Sequence, residues 1–387
     1  MSNSLRPHNL SQTNATGDAA PLLLLPDLLT NNDGSEVTAA NWCQRRQELV
    51  AAIIEHQFGA LPPGGNGTTL IRRALSRPRH MQDVTYHVYD VTVEFDATRQ
   101  LTFTLSLWVP PGDGPFPVLL DGDGCWRYFR ENEVVTEVLA RGYIAASVDR
   151  TAAAADNMDD YRRSGLYRLF PDAAWGVLAA WAWLCHRAVD ALLQLPMVRG
   201  DAIALTGHSR GGKTALLAGA TDERIALTNP NCSGIGGAGL HRLKGRDSET
   251  IESFFRWRNI FWYAEPFKQM RGRDAELPYD NHFLHAMVAP RLLLVTEAFE
   301  DHGANPPGTY AACRDAGRVF RLLGRPEAIG WVFREEGHSH KVQDYISLLD
   351  FMDIHFRQQE PRRCFQRRLY PDLADLLQTP PIATREA

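Results

Sequence analysis

Between residues 68 and 110, apolar side chains recur at every second position, as in Val84, Tyr86 and Val88 and then Leu101, Phe103 and Leu105. A period of two turns one face inward, so this region predicts antiparallel strands at the leading edge of a sheet. The period then changes. Pro117–Leu120, Ile144–Val148, Ile203–Leu205, Ile225–Thr228, Leu292–Val295 and Ile329–Phe333 are short, nearly unbroken apolar runs. Such runs suit strands buried on both faces of a parallel sheet. Between them lie stretches with helical spacing. Residues 38–58 carry Trp42, Leu49, Ile53 and Ile54 on one face before Gly59, Pro62 and Pro63, and residues 173–194 form a longer apolar helix containing Trp175, Trp181 and Trp183. Two more helices are expected at 306–323 and 342–357. Strand and helix in alternation predict an α/β fold, a mostly parallel doubly wound sheet with an antiparallel leading edge. Residues 235–278 are long and irregular, rich in Gly and aromatic side chains, and read as a lid-like insertion. Residues 1–35 read as a poorly ordered lead, 36–360 as a single catalytic domain and 361–387 as a tail.

Composition adds exclusions. The chain has 387 residues, 44% hydrophobic and 22% charged, enough for a sizeable core. A net charge of -5 gives no support for nucleic-acid binding, and the basic positions Arg362, Arg363, Arg367 and Arg368 read as a solvated surface. The six cysteines are scattered without a C-x-x-C, which suggests neither a zinc site nor a redox motif and predicts reduced thiols. Leu22–Leu25 is too short to span a bilayer, so no membrane association is expected. With no export signal visible in the N-terminal residues, the expected location is cytoplasmic.

The candidate chemistry centres on Ile203–Leu217, a strand, a sharp turn and a helix. Gly207-His208-Ser209-Arg210-Gly211 in the turn matches G-x-S-x-G, the nucleophile elbow of α/β-hydrolases. An elbow serine needs a base to take its proton and an acid to orient that base, in chain order Ser, Asp/Glu, His. The loop after the penultimate strand offers Glu297, Glu300 and Asp301, with Asp301 the expected acid. The loop after the last strand offers His338 and His340, with His338 the expected base. The Arg210 backbone N–H belongs to the expected oxyanion hole. Its guanidinium either adds charge there or forms a structural ion pair. Lys213 lies one helical turn beyond Ser209, either as a contact for substrate hydroxyls or negative charge or as a solvated lysine.

These residues resemble a known family. Gly207-His208-Ser209-Arg210-Gly211-Gly212-Lys213 is similar to the G-x-S-R-x-G-K elbow of the glucuronoyl esterases, a carbohydrate esterase family of the α/β-hydrolase superfamily. Tyr161–Arg168, Asp222–Leu227, Leu277–Asp280, Ala289–Arg291, Glu300-Asp301 with Ala304–Pro306, and the segment Trp42–Glu48 extend the likeness over about 40–357. The resemblance implies serine esterase chemistry without metal or cofactor, acting on esters between a glucuronic acid of xylan and an alcohol of lignin. It implies Ser209 as nucleophile, Arg210 at the oxyanion, Lys213 on sugar hydroxyls and Trp262 lining the uronate pocket. Trp262 also reads as a lid-core aromatic. Cys232 stands where many members carry a catalytic Glu, and Asp301 matches those that place an Asp after the penultimate strand. His208 replaces a disulfide-forming Cys of secreted fungal members. The expected substrate is a small carbohydrate ester. The other readings are an acetyl or aryl esterase for decorated oligosaccharides and an inactive hydrolase-fold binding protein.

Overall fold

The two periodicities sort into two kinds of strand, β1 (Gly67–Ser76), β2 (Thr85–Glu94) and β3 (Gln100–Val109) of one kind, and β4 (Phe116–Asp121), β5 (Ile144–Val148), β6 (Val198–His208), β7 (Leu227–Asn231), β8 (Leu292–Ala298) and β9 (Ile329–Arg334) of the other. The structure is a computed structural model that describes residues 25–370 except 80, 82, 125–127 and 246. In β2 and β3 the alternation becomes register. Tyr89 faces Leu105, Val91 faces Phe103 and Val93 faces Leu101, all six buried. Of the other strands, β4, β5, β7 and β8 are buried almost throughout, as unbroken apolar runs require, while β1 is mostly exposed and β9 is buried only in its first half. They form one nine-stranded sheet in the order β1-β2-β3-β5-β4-β6-β7-β8-β9, parallel from β5 to β9 and antiparallel from β1 to the β3–β5 pair.

The parallel register brings the site together. Asp121 pairs with Thr206, His208 with Asn231, Asn231 with Thr296 and Ala298 with Arg334. The carboxyl ends of β4, β6, β7, β8 and β9 therefore share one edge, where open α/β sheets bind ligands. The helices Pro306–Leu322 and Val342–Arg357 lie close to their expected bounds, a helix Arg210–Thr221 follows the elbow, and the helix expected over 173–194 spans Val177–Leu192, which leaves Trp175 before its start.

Several expectations differ from what is observed. Within the expected lead, residues 25–35 are packed rather than loose. Leu28 is fully buried, and the Arg45 guanidinium donates to the Asp27 and Leu28 carbonyls. Residues 1–24 lie outside the described residues. The expected helix 38–58 is α-helical over Trp42–Ile53 and then widens into a π turn at Ile54–Phe58. The wider turn carries Gln57 into the interior, where it donates to the Gly236 carbonyl and accepts from the Tyr279 hydroxyl. Residues 235–278 contain the short helices Ile251–Arg256 and Glu265–Lys268, with Phe254, Phe261, Trp262, Tyr263 and Phe267 buried. At the C-terminal end, residues 361–370 run along β9, with Trp331 donating to the Phe365 and Arg367 carbonyls. Residues 371–387 lie outside the described residues. Among the described residues, no helix is long and apolar enough to cross a membrane.

Candidate active site

Strand β6 ends at His208, and the helix Arg210–Thr221 starts two residues later. Ser209 bridges them at φ 56° and ψ −120°, a conformation that L-residues rarely adopt. Holding it costs roughly 1–3 kcal/mol, which the surroundings must supply. The glycines explain how the turn closes. A Cβ on Gly207 would lie 2.4 Å from the Gly211 carbonyl oxygen, and one on Gly211 2.2 Å from the Asp123 carboxyl. The Ser209 N–H donates to the Asn231 carbonyl at 2.9 Å, which ties the elbow to β7.

Three predicted side chains meet above this turn. His338 Nε2 lies 2.9 Å from Ser209 Oγ, and His338 Nδ1 lies 2.6 Å from Asp301 Oδ2. Asp301 is buried, while His338 is half exposed. Asp301 also caps the turn His302–Ala304 by accepting from the Ala304 N–H. The rivals lie elsewhere. Glu300 is exposed. Glu297 is fully buried and accepts from the Ala298 N–H and the Thr309 hydroxyl. His340 turns inward, stacked on Tyr345 at 3.9 Å between centroids, with Nδ1 2.9 Å from the Tyr345 hydroxyl.

Behind Asp301, Cys232, Glu297 and Asp301 bring one potential metal-ligand atom each to within 4.8 Å of one another, the one such group among the described residues. Burial, followed by the Glu297 and Asp301 charges, raises the Cys232 thiol, and burial followed by Asp301 raises the Glu297 carboxyl. Arg334 also approaches Cys232 Sγ at 3.9 Å. Arg334, not singled out from the sequence, donates to Asp344 at 3.0 Å, to the Gly337 carbonyl at 3.1 Å and to the Ser339 carbonyl, and so shapes the His338 loop.

The expected binding residues are placed less simply. The Arg210 guanidinium donates to Asp156 Oδ2 at 2.9 Å and lies over the Trp262 ring at 4.7 Å. The ion-pair reading thus holds for its side chain, through Nη1. Trp262 is 3% exposed and donates from Nε1 to Asp156 Oδ1 at 3.2 Å, so it is both a core aromatic and a partner of Arg210. Lys213 requires a correction. It is 2% exposed, and its ammonium donates to the Ser233 carbonyl at 2.6 Å, the Ile235 carbonyl at 2.7 Å and Glu249 at 2.7 Å. All three of its donors have partners, because a buried ammonium must be satisfied. It is neither an open cation for sugar hydroxyls nor a solvated lysine.

A polar layer beneath the elbow also escaped the sequence reading. Asp123 accepts from the His208 N–H at 3.3 Å and from Arg150 at 2.6 Å. Arg150 also donates to Asp156 at 3.0 Å. Asp121, Asp123, Tyr128, Phe129, His208, His340 and Tyr345 line a small cavity there. Burial, followed by the Asp123 charge, pushes the Asp121 carboxyl up to about 8. Burial, followed by the His338 charge, pulls His208 down to about 4, so its ring is neutral and donates from Nδ1 to Asn231 Oδ1 at 2.7 Å. The signal in the sequence was the pair Asp121 and Asp123 directly after a buried strand.

Sheet order and elbow define the α/β-hydrolase class. Comparison with known proteins narrows it. The family model for fungal glucuronyl esterase matches residues 91–324. The 4-O-methyl-glucuronoyl methylesterase 1 of Wolfiporia cocos is 30% identical over 325 residues, 82% of this chain and 76% of that protein. A carbohydrate esterase of an unknown prokaryotic organism is 36% identical over 197 residues, 47% of this chain and 45% of that protein. Among solved structures, a glucuronoyl esterase from Caldicellulosiruptor kristjansonii superposes with a TM-score of 0.77 at 28% identity, covering 89% of this chain and 93% of its own. The chain belongs to the glucuronoyl esterase family and is a carboxylic ester hydrolase. This corrects the expected cytoplasmic location, since fungal glucuronoyl esterases are secreted enzymes that act on plant cell-wall polysaccharides. Free thiols do not decide the compartment. Cys185, Cys232 and Cys313 are buried core residues, whatever the redox state outside.

Proposed function

We propose that the protein hydrolyses uronic-acid esters, 4-O-methyl-glucuronoyl esters among them, through an acyl-enzyme. The carrying observation is the hydrogen-bonded line from Ser209 Oγ through His338 to Asp301, at 2.9 and 2.6 Å, on a strained elbow. Ser209 attacks the ester carbonyl while His338 Nε2 takes its proton. Asp301 holds the His338 tautomer and offsets the imidazolium that forms. The Arg210 backbone N–H faces the developing oxyanion. His338 then protonates the leaving alcohol and activates water, which releases the acid and frees Ser209. Residues 36–360 act as one catalytic domain, with 235–278 as its cap. Trp262 in that cap walls the acyl pocket, and Lys213 shapes the pocket through Glu249 rather than by direct contact. The substrate is a small carbohydrate ester.

Hydrolysis of methyl glucuronate by wild type and Ser209→Ala tests the reading. The variant is expected to lose at least about 10⁴-fold in kcat, and equal rates would overturn it. An acetyl or aryl ester is the second reading, favoured by the full engagement of Lys213. Faster turnover of p-nitrophenyl acetate than of methyl glucuronate would select it.

A further inference from the structure

The charged groups beside the nucleophile form an alternating line. Asp123 Oδ1 takes a hydrogen bond from Arg150 Nε at 2.6 Å. Arg150 Nη2 and Arg210 Nη1 both donate to Asp156 Oδ2, at 3.0 and 2.9 Å. The other Asp156 oxygen receives the Trp262 indole N–H at 3.2 Å. Each guanidinium lies over a tryptophan, Arg150 over Trp181 at 4.0 Å and Arg210 over Trp262 at 4.7 Å. The two tryptophans lie 6.4 Å apart. Asp156 is thus the one carboxylate in this line bound to both cations and to the cap aromatic. Burial alone would raise its carboxyl, but the Arg150 and Arg210 charges outweigh burial and hold it below the usual carboxylate range. It therefore carries its negative charge near neutral pH.

The reaction changes the charge of what the pocket holds. A neutral ester enters, and an anionic carboxylate leaves. A guanidinium directly after the nucleophile, without a counter-charge, would bind the product more tightly than the substrate, and binding that favours the product slows turnover. Resting on the uronate-ester reading above, we infer that Asp156 is a positioning residue that offsets the Arg210 charge and holds its guanidinium over the Trp262 ring, so that the acid product is released.

The test is product inhibition by glucuronate during methyl glucuronate hydrolysis, across salt concentration. Wild-type turnover of the ester tests the esterase reading on its own, since an inactive wild type would overturn that reading and this inference with it. With an active wild type, inhibition by glucuronate is expected to be weak and nearly flat between about 0.02 and 0.5 M salt, where an exposed unpaired charge would be strongly screened. This measurement needs no variant. Asp156→Asn is expected to bind glucuronate about 5–10-fold more tightly at low salt, the size of one uncompensated charge at a partly exposed site, and to return toward wild type at high salt. Asp156→Glu, which keeps the charge, is expected to restore weak inhibition. A steep salt dependence in wild type, or an Asn variant that binds glucuronate no more tightly, would overturn the inference. A merely structural role predicts weaker binding of substrate and product alike.

Discussion

At the scale of single residues, the groups proposed for the chemistry are held by contacts the chemistry leaves intact. Asp301 keeps one oxygen for the turn it caps and the other for His338. An amide in its place would favour the wrong imidazole tautomer, so Asp301→Asn is expected to cut kcat for methyl glucuronate by about 10³–10⁴-fold at unchanged melting temperature. Asp121 gives a second expectation. Its carboxyl titrates near 8 in the fold, against 3.8 in a free chain. Between those values the folded protein holds a proton that the unfolded chain has lost, so the contribution of this group to stability falls as pH rises through that window. Asp121→Asn has no such slope. Its melting temperature relative to wild type is expected to rise between pH 5 and pH 8, and a difference that does not vary with pH would contradict this. The elbow was legible in the sequence because G-x-S-x-G is a local pattern, with Gly207 answering a contact only four residues on, at the Gly211 carbonyl. The ion pair of Arg210 was not, because Asp156 lies 54 positions away. The partners of Lys213 were hidden for the same reason, since Ser233, Ile235 and Glu249 reach it only after the chain folds back.

At the scale of elements, the strands were readable because periods of two and unbroken apolar runs correspond directly to one-sided and two-sided burial. The π turn Ile54–Phe58 was not, because no residue type marks a one-residue widening of a helix. The elbow turn itself tolerates little change. Gly207→Ala would drive a Cβ to 2.4 Å from the Gly211 carbonyl oxygen, a backbone atom that cannot rotate away. Destabilisation above about 2 kcal/mol is expected in urea unfolding, together with loss of activity. Gly245→Ala is the control, because its new Cβ would come no closer than 3.3 Å to a neighbour, the flexible Ser248 hydroxyl.

At the scale of the whole molecule, the sheet has two unlike ends. Beyond β9, residues 361–370 take up the edge, with the Trp331 bonds to Phe365 and Arg367 joined by Gln366 donating to the Ile329 carbonyl at 2.8 Å. Phe365 packs on Phe351 at 4.9 Å between centroids. Phe365→Ala is expected to cost about 3 kcal/mol and to loosen protection of the β9 amides in hydrogen exchange. This segment read only as a tail because it has no period of its own, its backbone being held one bond at a time. At the other end, among the described residues, no strand pairs beyond β1, whose Ile71 and Leu75 are exposed and whose edge carries Arg72 and Arg73. With one edge covered and one open among the described residues, the sheet they form has a single socket for strand addition. Two copies joined there would use up both sockets, so growth through sheet edges stops at a pair and cannot propagate into a fibre.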